Sequence, residues 1–346
     1  MMGKLKKLTG YRLFLPLSCL IIVLLINLIT TPTFFRITIN NGVLYGYIID
    51  VINRASELVV LAVGMTLVVS ASAGTDISVG AVMAVAAAVC TRVLAGGEVS
   101  VNEYANPYVL AVLAALAAAV VCGGFNGFLV AKLKIQPMVA TLILFTAGRG
   151  ISQLVTNGQI TYIRVDGYKL LGNNIPGIPI PTPIFVAVIV VALTYILLKK
   201  TAMGMYIQSV GINERASRLV GLKSVKIIWM AYAFCGLCAG IAGLVASSRI
   251  YSADANNIGL NMELDAIAAV ALGGGRFSLL GSVIGAYTIQ ALTTTLYAMS
   301  VPADQIPVYK AIVVILIVAV QSEELKKFRK RLASRHSSKN VEGGVA

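Results

Sequence analysis

Apolar residues in this chain come in long blocks separated by short polar punctuation, not in alternating or half-helical patterns. About 20 apolar residues make one helix long enough to cross the hydrocarbon of a bilayer. Gly, Pro, Asn and charged residues mark where such blocks end. The pattern predicts ten spans, at 11–31, 55–73, 77–95, 108–131, 138–155, 182–198, 227–248, 263–272, 280–298 and 306–320. At 1.5 Å per residue the eighth reaches only about 15 Å. It is expected to start in a headgroup region or to be a broken helix. The proline-rich stretch 173–183 reads as a stiff connection rather than a span.

Charge orients this pattern. With the N-terminus inside and the spans alternating, the inside segments hold Lys4, Lys6, Lys7 and Arg12, then Lys132 and Lys134. They also hold six basic residues between 199 and 226, Arg276, and seven more beyond 321. Twenty of the 28 Lys and Arg thus fall inside, the bias of cytoplasmic loops. The expected architecture is an all-α integral membrane protein of about ten transmembrane helices, some broken or re-entrant, with both termini cytoplasmic. Residues 1–10 form a cytoplasmic N-terminus, 11–321 the membrane domain and 322–346 a basic cytoplasmic tail. The basic start followed by 13–29 resembles a signal peptide, but no small-x-small cleavage site follows, so a retained first span is expected.

Composition narrows the function. The chain is 58% hydrophobic and 12% charged, about half the charge of a soluble domain, which excludes a soluble enzyme. A net charge of +14 in basic loops, without a basic patch interleaved with aromatics, excludes nucleic acid as a partner. Five cysteines scattered through apolar runs make no disulfide framework. Cys235-x-x-Cys238, with a single histidine at 336, makes no zinc site, and no metal is expected.

Several features can carry work. Gly74-Thr75-Asp76-Ile77-Ser78-Val79-Gly80 joins two spans with almost no loop. A carboxylate near membrane depth costs about 2.5–3.5 kcal/mol. The cost is tolerable where a helix restarts, since Asp76 can accept from free N–H groups there. Capping and contact with a polar solute are both open for Asp76 and Ser78, and broken helices are where transporters place their sites. The Gly-rich run 272–282 must line protein or a cavity. It is not a phosphate-binding loop, because no Gly-Lys-Ser/Thr follows. Polar residues on otherwise apolar spans are Asn126, Gln136, Thr141, Arg149, Gln153 and Asn157. The last three, at i, i+4 and i+8, form one stripe expected to face a water-filled cavity and to suit a neutral polyhydroxyl solute. Gly123/Gly127, Gly236/Gly240 and Gly281/Gly285 have the spacing for close helix packing, here expected within the chain.

In the loop 199–226, Asn213 can cap a short helix over 214–220 and Gly221 can end it. A two-turn helix with no core of its own implies a cytoplasmic partner. The alternative is an amphipathic segment resting on anionic lipid.

These residues are recognisable together. Gly-x-Asp-x-Ser-x-Gly at 74–80, Gly211-Ile-Asn-Glu-Arg-Ala…Gly221 and Leu264-Asp265-Ala266-Ile267 before a Gly-rich turn resemble the permease subunits of ribose-type bacterial ABC sugar importers. Ile135-Gln136-Pro137-Met138-Val139-Ala140-Thr141-Leu142, Gly148-Arg149-Gly150 and Ala253-Asp254-Ala255-Asn256-Asn257 bring the resemblance closest to galactofuranose permeases. The resemblance implies an inner-membrane importer in which a permease pair encloses the path. A periplasmic binding protein delivers the sugar, and a cytoplasmic ATPase with two fused nucleotide-binding domains drives it. ATP and Mg then sit on that ATPase, and this chain binds no cofactor. The second permease is expected to be a different chain, a heterodimer over a homodimer. The segment 211–221 becomes the coupling helix, with Gly211, Asn213, Glu214, Arg215, Ala216, Arg218 and Gly221 at the ATPase. Arg249, Asp254, Asn256 and Asn257 become a docking or gate surface for the binding protein. The competing readings are an ATP-independent facilitator, an ion-coupled carrier and a purely structural membrane subunit. The missing acidic relay argues against ion coupling.

Overall fold

The computed structural model describes residues 13–40, 42–275 and 277–321. The segment 1–10, Arg12, Arg276 and the tail 322–346, which entered the charge count, lie outside the described residues. Among the described residues twelve α-helices follow in order: α1 (Phe14–Thr30), α2 (Tyr47–Ser72), α3 (Val79–Ala95), α4 (Tyr108–Ala131), α5 (Pro137–Val155), α6 (Thr182–Lys200), α7 (Met203–Ile212), α8 (Glu214–Leu219), α9 (Ser224–Ile250), α10 (Met262–Leu272), α11 (Leu279–Ala298) and α12 (Ile306–Gln321). Each predicted apolar block coincides with a helix. Six of these, α2, α4, α5, α6, α9 and α11, are long and apolar enough to cross a membrane, and α1, α3, α10 and α12 are shorter.

The main departure is at α2, which begins at Tyr47 rather than 55. Asn53, Arg54 and Glu57 look like a loop by polarity. In the helix, however, Glu57 faces Arg249 of α9 at 3.0 Å, and the Asn53 carbonyl accepts from the same guanidinium at 3.3 Å. A polar turn can stay helical when a neighbouring helix supplies its partner.

The bundle is built around α2 and α9. In the most apolar stretch of each, 83% and 72% of residues are buried, against 22% in α6, so α6 presents most of its surface outward. Close approach rests on glycine. A Cβ at Gly123 of α4 would lie 2.4 Å from the Tyr232 carbonyl oxygen of α9, and the Cα of Gly236 opposes it. These glycines pack within the chain, as their spacing predicts. The five cysteines are free, and four of them are buried. Asn27 of α1 donates to Thr295 of α11 at 2.7 Å.

Short strands gather the loops at one end. β1 (Thr38–Asn40) pairs antiparallel with β2 (Val43–Tyr45). β3 (Ser100–Val101) runs parallel to β4 (Thr161–Ile163), which runs antiparallel to β5 (Ser252–Ala253). The Leu44 amide reaches the Pro179 carbonyl at 3.1 Å. The loops before α2, α4, α6 and α10 therefore share one end of the bundle. These strands are the element that an all-helical expectation omits.

Candidate functional site

The first break behaves as a restart. After α2 the chain turns at Ala73, in the left-handed region at φ 59°, and extended backbone leads to α3. Asp76 Oδ1 accepts from the Ser78 amide at 2.9 Å and the Ser78 hydroxyl at 2.7 Å. Asn126 of α4 donates to Ser78 at 2.8 Å and to Asp76 at 3.4 Å. The Thr141 hydroxyl of α5 accepts from the Ile77 amide at 3.1 Å. Asp76, Ser78, Asn126 and Thr141 are all fully buried. In this conformation they form a sealed polar node, with the Asn126 Oδ1 left unpaired.

The second irregular segment is not the Gly-rich turn. That turn joins α10 to α11 as a tight antiparallel pair: a Cβ at Gly285 would lie 2.0 Å from the Ala269 carbonyl oxygen. Phe277 at its tip donates its amide to Ser70 at the end of α2. The segment that meets the first break is 254–261, ahead of α10. It dips to the start of α3, where a Cβ on Gly80 would stand 2.3 Å from the Gly259 carbonyl oxygen and 2.2 Å from Glu263 Oε2. The N-terminal ends of α3 and α10 thus face one another, with the Glu263 carboxylate between them. That placement suits two positive helix ends.

Arg149 holds this segment in place. Its Nη1 donates to the carbonyls of Ala255 at 2.8 Å, Ile258 at 2.7 Å and Asn256 at 3.2 Å. Gln153 adds a bond to Asn256 Oδ1 at 2.7 Å. The stripe is therefore a clamp on a loop rather than the wall of an open cavity. It also ends early: α5 stops at Val155, and Asn157 lies past it at φ 55°, exposed. Within the loop, Asp254 accepts from the Asn256 amide at 2.9 Å and from Asn257 Nδ2 at 2.6 Å. Partial burial alone raises the Asp254 carboxyl, but the hydrogen bonds from Asn257 and Asn256 outweigh it and hold the group below its usual range. Asn256 and Asn257 are exposed. Arg249 is not part of that surface, because it turns inward to Glu57 and Asn53.

At the other end, Asn213 Oδ1 accepts from the Ala216 amide at 3.0 Å and caps α8, which ends at Leu219, with Gly221 just beyond it at φ 86°. The knob is 213–221. Gly211 belongs to α7, seated so closely on α2 that a Cβ would meet the Ser70 carbonyl oxygen. Glu214 does not point outward: it binds Arg218 and Lys134. Partial burial raises its carboxyl, yet the two cations outweigh that and lower it below the ordinary range. Arg215, Ala216, Leu219 and Val220 are exposed, with Leu219 at 89%. A cavity of about 290 Å³, lined by Ser72, Ala73, Lys134, Gln136, Gly211 and Glu214, separates the knob from the first break.

The chain thus carries a buried restart, a clamp on the segment ahead of α10 and an exposed knob. Residues 47–321 match the family described as the branched-chain amino acid transport system / permease component. The chain belongs to this permease family. It is 43% identical to the galactofuranose transporter permease protein of Escherichia coli (strain K12), over 92% of each chain. It is 36% identical to the fructose import permease protein of Bifidobacterium longum (strain NCC 2705), over 99% of this chain and 96% of that one. Identity to the ribose import permease protein of E. coli (strain K12) is 34%, over 89% and 93%. No solved structure matches the chain. The resemblance read from the motifs agrees with these relatives.

Four charged residues of the permease receive no role from the sequence: Glu57, Glu263, Asp265 and Lys310. Lys310 of α12 meets Asp265 of α10 at 2.6 Å, fastening the last helix to the bundle. Only the carboxylates at the head of a short apolar helix, 263 and 265, are a local signal. Asp265 finds its partner 45 positions along the chain, and Glu263 Oε2 has no hydrogen-bond partner among the described residues.

Proposed function

We propose that this permease forms the membrane path of an ATP-driven sugar importer of the bacterial inner membrane, with galactofuranose or a related monosaccharide as cargo. Whole-length identity to three sugar permeases carries this reading. A periplasmic binding protein delivers the sugar to the end where the β-strands lie. ATP and Mg belong to a separate cytoplasmic ATPase with two fused nucleotide-binding domains, since this sequence has no phosphate-binding Gly-Lys-Ser/Thr. Ten crossings with both termini cytoplasmic place 213–221 on the ATPase side, and a second, different permease chain completes the pair.

In this reading the segment 254–261 is the outer gate. It covers the head of α3 in the closed state and is released when the Arg149 clamp opens. Release frees the guanidinium of Arg149 and opens the way to the Asn126 amide and the hydroxyls of Ser78 and Thr141, with Asp76 holding the node; Gln136, Gln153 and Asn157 are exposed already and line the approaches. These groups hydrogen-bond a neutral polyol without a strong countercharge. Leu219, Val220 and Arg215 seat the knob in the ATPase.

The test is Leu219→Asp with Val220→Asp in the reconstituted complex. Uptake and substrate-stimulated ATP hydrolysis are expected to fall roughly tenfold or more, the size of a lost interface hot spot, while membrane insertion stays normal. Uptake at the parental rate would overturn the coupling role.

A further inference from the structure

Two cavities on one flank of the bundle run into each other. One, of about 510 Å³, lies at the end of α6, with Lys199, Gln208 and Ser278 among its polar residues. The other, of about 390 Å³, continues along α6 from Tyr195 to Ala187 and is walled by apolar side chains such as Val59, Val191 and Val283. Tyr195 and Leu280 line both, so the two form one groove, polar at one end and apolar along the rest.

The dimensions and charges select an occupant. From 187 to 199 the groove follows α6 for roughly 18 Å at 1.5 Å per residue, slightly more than half of the ~30 Å hydrocarbon core. That is the reach of a chain from one leaflet. A sugar would bring hydroxyls to a wall that cannot pair them, whereas an acyl chain brings none. At the polar end, Lys199 and Lys200 are exposed, and neither is in an ion pair among the described residues. Cations at that level attract anionic headgroups, and long basic side chains reach from an apolar stem to the interface.

We propose that the groove between α6 and α11 is a binding site for an anionic phospholipid, with an acyl chain along Val191 and Val283 and the phosphate beside Lys199 and Lys200. Its place in the cytoplasmic leaflet rests on the orientation proposed above. The lipid then bridges α6, α7 and α11 next to the knob-bearing loop.

Native mass spectrometry of the purified permease tests this directly, without transport. Delipidated protein is offered phosphatidylglycerol or zwitterionic phosphatidylethanolamine at equal concentration. The wild type is expected to retain phosphatidylglycerol preferentially. Lys199→Ala with Lys200→Ala is expected to weaken that retention roughly fivefold per lysine, and Val191→Trp, which fills the groove, to remove it. Equal retention of the two lipids, or full retention by the surface lysine variant, overturns the proposal. So does efficient cross-linking in native membranes of a cysteine at Val188, exposed on α6, to a second permease chain, since the groove would then be covered by protein. Failed sugar uptake would sink the functional reading without altering any of these results.

Discussion

Residues 74–78 and 254–261 both interrupt the bundle with irregular backbone, yet they are held by different means. The first is closed by its own side chains and two neighbouring helices: Asp76, Ser78 and Asn126 hydrogen-bond one another and Thr141 holds the Ile77 amide, all out of contact with solvent, with Asn126 Oδ1 left without a partner. The second is gripped from outside by one helix, through Arg149 and Gln153, and its asparagines remain exposed. Where the two meet, pairing is incomplete: Glu263 Oε2 and Arg149 Nη2 are buried without a hydrogen-bond partner. Buried groups of this kind cost about 1–3 kcal/mol when unpaired. The closed arrangement is thus stabilised less than full pairing would allow. In the proposed reading this difference makes 74–78 a fixed node and 254–261 a releasable cover.

The largest break of this contrast comes at the contact itself. Gly80→Ala inserts a methyl against the Gly259 carbonyl and the Glu263 carboxylate, and neither backbone can retreat without lifting the segment. A loss of about 1–3 kcal/mol is expected, read as a lower midpoint of thermal unfolding in detergent. An unchanged midpoint would mean that the heads of α3 and α10 do not touch.

A smaller effect separates the two breaks. Arg149→Ala removes three bonds to the covering segment, so a cysteine at Ile258, 4% exposed, should react with a membrane-impermeant maleimide roughly tenfold faster through local opening. Asn126→Ala, which weakens the lower node, should lower the unfolding midpoint without changing that labelling rate. Equal labelling in the two variants would erase the distinction between node and cover.

Much of the fold was legible because lipid imposes long apolar blocks, and every predicted block is a helix. The Asn213 cap, the Gly221 stop and the placement of Asp76 at a restart were legible because capping is local. Contacts across the chain were not. Arg249 reads as an outer-surface charge until Glu57, 192 positions away in sequence, is seen to neutralise it. Gly211 reads as the start of the knob until the end of α2 is seen to press on it. Arg149, Gln153 and Asn157 share a helical spacing, but the helix ends before the third. The pairing of 254–261 with Gly80 has no periodic signature at all, because it is made by irregular backbone.

The most direct test of the central claim, that this chain is a conduit driven by another protein, uses proteoliposomes loaded with the permease alone or with its ATPase and binding protein. The account predicts no exchange of labelled sugar by the permease alone, and accumulation only when all components and ATP are present. Exchange by the permease alone, without ATP, would contradict it.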